Sequence, residues 1–187
     1  MIRKFALLTI LCITSVAALG AEVAGVKLDD KVSLGGGELV LNGAGIRTKF
    51  MVKVYVGSLY VPAKATTAAA VYAKAPRRVQ LNMLRDVTSD QMTDALVDGI
   101  KQANSAADAA AVKAQTDELA SVMKSIGQLK EGNVLTFDYV DGATKVGVNG
   151  AAKGSVAGDA FNKALLNAWL GDNAVQSDLK KAMLGGG

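Results

Sequence analysis

The chemistry open to this chain is narrowed first by what it lacks. Among 187 residues there is no histidine, and the one cysteine, Cys12, lies inside an apolar run near the amino terminus. With that run removed on export the mature chain has neither His nor Cys, so zinc sites with the usual ligands, Ser-His-Asp triads, Cys-His dyads and phosphohistidine chemistry all lack their parts, and no metal or cofactor is expected. Arg, Lys, Tyr, Asp and Glu are what is left. The carboxylates are scattered, with Asp86, Asp90, Asp94 and Asp98 mostly on solvated helix positions, and a paired-carboxylate hydrolase is unsupported. The glycines over residues 34–46 invite a phosphate-loop reading, but Gly43-Ala44-Gly45-Ile46-Arg47 lacks the third glycine, the following helix and any Gly-Lys-Ser. A strand-connecting turn is the simpler reading. On residues alone, Arg47 is either a functional cation or a solvated strand-end arginine, and Tyr55 and Tyr60 either serve a site or pack a sheet.

These residues belong to one domain behind an export signal. Arg3 and Lys4 precede an apolar run over residues 5–19 that ends among small residues, Gly20 and Ala21, which is the order of a secretory signal. The run is shorter than the roughly 20 residues a helix needs to cross a bilayer, and no stop-transfer segment follows it. Residues 1–21 are therefore expected to be removed on export, leaving residues 22–187 as one periplasmic or secreted domain without a membrane span. Of the 21 basic residues two lie in the signal, so the mature chain carries 19 against 17 acidic residues, a net charge of +2. No basic stripe interleaved with exposed aromatics marks a nucleic-acid face. Hydrophobic residues make up 50% of the chain, enough for one sizeable core.

Residues 38–41 and 50–61 are rich in Val, Leu and Tyr and read as strands, punctuated by glycine turns at 35–37, 43 and 45. Residues 66–75 read as an alanine-rich helix closed by Pro76. Val79, Leu81 and Met83 alternate with Arg78, Gln80 and Asn82 in a half-buried strand. Thr88 with Gln91 is a capping-box signature, and the helix it opens sets Met92, Leu96, Gly99 and Ala103 on one stripe. One helix is expected over residues 106–126, ended by Gly127. Residues 133–140 and 144–148 alternate on either side of Asp141-Gly142, a dipeptide suited to a two-residue hairpin turn. Helices over 159–170, burying Phe161, Leu165 and Trp169, and over 177–184 complete the chain. Strands in hairpins and helices in pairs argue for an α+β fold, an antiparallel sheet with helices on one side.

Over residues 41–62 the chain reads Leu-Asn-Gly-Ala-Gly-Ile-Arg-Thr-Lys-Phe-Met-Val-Lys-Val-Tyr-Val-Gly-Ser-Leu-Tyr-Val-Pro. Here it resembles the chalcone isomerase superfamily, in particular its bacterial chalcone-isomerase-like members. The Gly-Ala-Gly-Ile-Arg segment ending at Arg47 and the strand from Lys53 to Tyr60 carry the match. Residues 78–100, the Asn149-Gly150 turn, residues 161–171 and Leu179-Lys180 follow in the expected order, so the resemblance covers nearly the whole mature chain. It implies an open-faced β-sandwich: a large antiparallel sheet, a layer of helices over it, and a ligand cleft between them. In the plant enzymes of the family that cleft holds a chalcone while a phenolate adds to a conjugated double bond of the same molecule. An arginine on a strand end stabilises the enolate oxygen, a threonine and a tyrosine arrange a water chain, and an asparagine on the tyrosine's helix takes part.

Matched by motif, that arginine is Arg47. Tyr55 falls where the threonine is expected, and Met92 and Gly99 fall where the helix carries tyrosine and asparagine. Those two positions share a helix face, so a wall that is polar in the enzymes is apolar here. A cation kept without the donors around it suits a different task. The resemblance is then to the non-catalytic fatty-acid-binding branch: an exported binder of a fatty acid or similar amphipathic carboxylate. Arg47 and Tyr55 would hold the head group, and Met92, Leu96, Gly99 and Trp169 would line an apolar tunnel. Two alternatives stand beside it. One is an isomerase (intramolecular lyase) acting on a conjugated, flavonoid-like substrate with Arg47 as its one catalytic group; the other is an interaction module that holds no ligand.

Overall fold

Short apolar alternations separated by tight turns build hairpin after hairpin. The computed structural model describes residues 20–186; apart from Gly20 and Ala21, the expected signal peptide lies outside the described residues. A small hairpin pairs β1 (Glu22–Val23) with β2 (Val26–Lys27). Then β3 (Lys31–Leu34), β4 (Gly37–Lys49), β5 (Val52–Val61), β6 (Arg77–Met83), β7 (Val134–Val140), β8 (Ala143–Val148) and β9 (Ala151–Ala157) pair in chain order into one antiparallel seven-stranded sheet. Between β5 and β6 lies α1 (Ala68–Val71). Between β6 and β7 come α2 (Ser89–Ala103), α3 (Ala106–Ala111) and α4 (Lys113–Ile126), and after β9 come α5 (Asp159–Leu170) and α6 (Ser177–Met183). Helices α2, α4, α5 and α6 cover one face of the sheet, as an α+β open-faced sandwich requires.

Both faces of β5 are buried, because successive side chains of a strand point to opposite sides. Tyr55, Leu59 and Val61 enter the main core with Met92, Leu119, Phe161 and Trp169. Val56 and Tyr60 enter a smaller core on the other face with Leu28, Leu39 and Leu41, covered by Val23, Val26 and Val32 of the amino-terminal segment.

One irregularity decides where the later site can be. The β4–β5 pairing shifts register at Asn42 and again between Arg47 and Thr48. An extra residue in a strand reverses the face taken by the side chains that follow. Before the bulge Leu39 and Leu41 face the smaller core; after it Gly43, Gly45 and Arg47 face the helices. The bulge is tied down by the buried Asn42 amide, which donates to the carbonyls of Ala65 (2.8 Å) and Met183 (2.7 Å) and accepts from Ala65 N (2.7 Å). Without that added residue Arg47 would point away from the helices.

Several elements differ from the sequence expectations. Gly43 and Gly45 are not turns but lie inside β4, where α6 rests on them. A Cβ at Gly43 would stand 2.0 Å from Ala182 O, and one at Gly45 would stand 2.7 Å from Ala182 Cβ. The turn comes instead at Phe50 and Met51, with φ of 50° and 65°. The helix expected over residues 66–75 is the single turn α1, because Arg77 Nη1 takes the carbonyls of Val71, Ala73 and Ala75. The helix expected over residues 106–126 breaks at Val112, which turns into the core, whereas α3 buries no residue. Both halves of the Thr88–Gln91 capping box form, and Asp141-Gly142 makes the expected turn, with φ of 54° and 75°.

Because the clash at Gly43 is with backbone and not with a flexible side-chain end, Gly43→Ala is expected to cost about 1–3 kcal/mol. A fall in the urea midpoint at unchanged m-value would show it; an unchanged midpoint would mean that α6 does not lie on β4 at this spacing.

Candidate functional site

Between the turn end of β4 and β5 and the helices α2 and α5 lies a cavity of about 560 Å³. All six residues singled out from the sequence line it: Arg47, Tyr55, Met92, Leu96, Gly99 and Trp169. The spacing of Met92, Leu96 and Gly99 puts them on one face of α2. Arg47 and Tyr55 are direct partners across β4 and β5 and so share a face of the sheet. Val54, Ala168 and Val175 add apolar wall, and the exposed Lys49, Phe50, Val52, Arg85, Asp86 and Asp98 form the rim. The cleft is neither filled nor collapsed, and its volume falls in the range of small-molecule sites.

Arg47 is half-buried, and only one of its nitrogens is committed. Nη1 donates to Thr48 O (3.0 Å), Val175 O (3.3 Å) and Gln176 Oε1 (3.2 Å). Among the described residues nothing accepts from Nε or Nη2, and no carboxylate pairs with the group. That leaves the Nε–Nη2 edge, the side of a guanidinium that matches both oxygens of a carboxylate. Two arginines of β6, one buried and one half-buried, show what satisfaction looks like. Arg77 stacks 4.2 Å from the Tyr139 ring and spends Nε, Nη1 and Nη2 on Asn162 and on backbone carbonyls. Arg78 grips both Asp138 oxygens at 2.6 and 2.7 Å. Arg47 Nη1 thus ties β4 to the segment before α6, while its Nε–Nη2 edge is left over.

Tyr55 adds a second donor. Its hydroxyl accepts from Trp169 Nε1 at 2.9 Å, and Trp169 is fixed in turn against Phe137, their ring centroids 5.9 Å apart. Burial pushes the Tyr55 phenol above its ordinary value, while the Trp169 hydrogen bond and the nearby Arg47 guanidinium pull the other way. The net result is a hydroxyl that stays protonated. The bonded neighbour of its oxygen, Trp169 Nε1, is a donor, so the phenol's own proton must go elsewhere, and among the described residues none accepts it.

Gln176, which precedes α6, escaped the sequence reading. Its Oε1 accepts from Thr48 N (2.9 Å) as well as Arg47, and its Nε2 donates to Ile46 O (3.1 Å). Since β3 pairs with β4 only up to Val40, this amide covers part of the strand edge left open beside Arg47. Gly99 also has a steric role: a Cβ there would meet the Ala168 Cβ at 3.1 Å, so any longer side chain would push α5 away from α2. No cluster of side chains suited to a metal ion is found among the described residues.

A family described as chalcone isomerase-like matches residues 20–185. Among solved structures, the chain is similar to a fatty-acid binding protein of Arabidopsis thaliana at a TM-score of 0.67, with 12% sequence identity, covering 86% of this chain and 92% of that one. At that identity the likeness shows the fold. Among curated proteins none matches the chain in sequence.

The Tyr55 arrangement has a readable pH dependence. Its proton is held more tightly in the folded chain than in the unfolded one, so its contribution to stability is intact below about pH 10, the ordinary tyrosine value, and is lost as the pH rises above it. Tyr60, pushed up to about 12 chiefly by burial and then by the Asp29 charge, acts in the same direction. The urea midpoint should therefore fall above about pH 10, and less steeply in Tyr55→Phe. At neutral pH that variant leaves Trp169 Nε1 without an acceptor and should lose about 1–3 kcal/mol. Equal alkaline slopes in the two proteins would contradict the account.

Proposed function

The chain belongs to the chalcone isomerase-like family, and on that premise we propose that it binds a fatty acid or a similar amphipathic carboxylate. The carboxylate takes the Nε–Nη2 edge of Arg47 and the free proton of Tyr55, and the acyl chain lies along Met92, Leu96 and Trp169. The uncommitted guanidinium edge at an apolar cavity is the observation that carries this reading. The similarity to a fatty-acid binding protein of the same fold supports it. We place the protein outside the cytoplasm, on the charged-then-apolar order of residues 3–21.

The same two donors would also stabilise an enolate, which keeps ring closure of a conjugated, flavonoid-like substrate as the second reading. Opposite them, however, stand Met92 and Gly99, and the packing at Gly99 leaves no room for a donor there.

Native mass spectra of the protein purified after expression of the whole sequence separate these readings. The expected spectra carry a fatty-acid mass, lost in Arg47→Ala, and show a chain that lacks residues 1–21. Affinity for added palmitate should fall at least about tenfold in the variant, since a charge-assisted hydrogen bond contributes about 1.5–3 kcal/mol. An empty cleft that takes up no palmitate, or equal uptake by both proteins, would overturn the proposal. Chalcone consumption no faster than in buffer would remove the second reading.

A further inference from the structure

The large apolar side chains left exposed among the described residues stand together, at the tip of the β4–β5 hairpin. Phe50 is 89% exposed, Met51 97% and Val52 42%. Folding does not account for them. The two turn residues hold φ of 50° and 65°, a geometry suited to Asn and Gly and strained for bulky side chains. At the β7–β8 turn, with similar φ values, the chain uses Asp141-Gly142. Two large apolar groups therefore sit where neither the turn nor a core favours them.

The surrounding charge says what would cover them. Lys49 and Lys53 flank the tip and are exposed, the Lys49 ammonium 5.8 Å from the centre of the Phe50 ring. Neither lysine forms an ion pair among the described residues. Arg85 joins Lys49 and Phe50 on the cavity rim; the nearby Asp86 carboxylate is already engaged by Glu131 N and Gln128 Nε2.

We propose that this tip docks the protein on an anionic lipid surface. Phe50 and Met51 enter the layer between head groups and acyl chains, and Lys49 and Lys53 lie against lipid phosphates, the pattern of interfacial anchoring segments. A lone two-residue wedge offers far less than the ~800 Å² per partner of a stable protein interface, whereas a bilayer accepts a single inserted wedge. Docking by the tip stands independently of any ligand. That the cavity rim then faces the bilayer, giving an acyl ligand a path to Arg47 that avoids water, rests on the carboxylate-binding reading.

Two measurements on the exported protein, purified as above without the apolar run over residues 5–19, test the docking. Met51→Cys carrying an environment-sensitive fluorophore should brighten and shift to the blue with vesicles of phosphatidylcholine and phosphatidylglycerol, and less with phosphatidylcholine alone. The double substitution Phe50→Asn with Met51→Gly gives the turn its preferred residues, so the thermal midpoint should hold or rise while vesicle partition falls at least about tenfold. Lys49→Gln and Lys53→Gln should each cost about fivefold on the anionic vesicles. Water-like emission on vesicles, or partition unchanged by the double substitution, would overturn the proposal. So would a dimer that the double substitution dissociates without any effect on vesicles, because the partner would then be a second copy. Native mass spectra read the ligand separately: a docking tip over an empty cavity upholds this inference, and a filled cavity with a non-docking tip refutes it.

Discussion

The rest of the site depends on a guanidinium fastened by one nitrogen, with its other edge bare beside an apolar hollow. No carboxylate among the described residues pairs with it. Arg77 shows the alternative the same chain uses elsewhere, with every guanidinium nitrogen bonded and the plane stacked on Tyr139. On the reading proposed above, the Arg47 edge is held ready for a ligand. A carboxylate with an apolar tail fits both the edge and the hollow behind it.

The rest of the local structure follows from holding that edge in place. The Asn42 bulge turns Arg47 to the helix side of the sheet. Gly43 and Gly45 remove the side chains that would keep α6 off β4. With α6 seated, Gln176 reaches the open strand edge and engages Thr48 N, Ile46 O and Arg47 Nη1 together. The Gly-Ala-Gly-Ile-Arg run is thus one device, in which the glycines matter for a helix more than 130 residues away in the chain. Across the pair, Trp169 holds the Tyr55 oxygen so that its proton is left over.

What was legible in the sequence was local. The Thr88–Gln91 capping box, the Asp141-Gly142 hairpin and the alternation of Val79, Leu81 and Met83 each write their geometry into neighbouring residues, and each formed. The resemblance brought Arg47, Tyr55 and the α2 stripe together around one cavity. What stayed illegible depended on distant partners. A glycine signals either a turn or a close approach, and at Gly43 only Ala182 decides which. Phe50-Met51 lacks the residues a tight turn favours, so the turn was missed. β9 reads Ala-Ala-Lys-Gly-Ser-Val-Ala, without apolar alternation, because its Gly154 receives Val122 of α4 instead of offering a side chain of its own. Nothing in the residues around Gln176 announces its bonds to β4.

The central claim is that the Arg47 edge and the Tyr55 proton hold an ionised carboxylate. The most direct measurement is the ¹³C resonance of a carboxyl-labelled fatty acid bound to the protein, followed as the pH is lowered. A guanidinium partner stabilises the ionised form, so the resonance should stay at its ionised position well below the ordinary carboxyl range near pH 4. A bound carboxyl that titrates in that range or above it would show that the acid lies in the cavity without touching Arg47, and the account would fail.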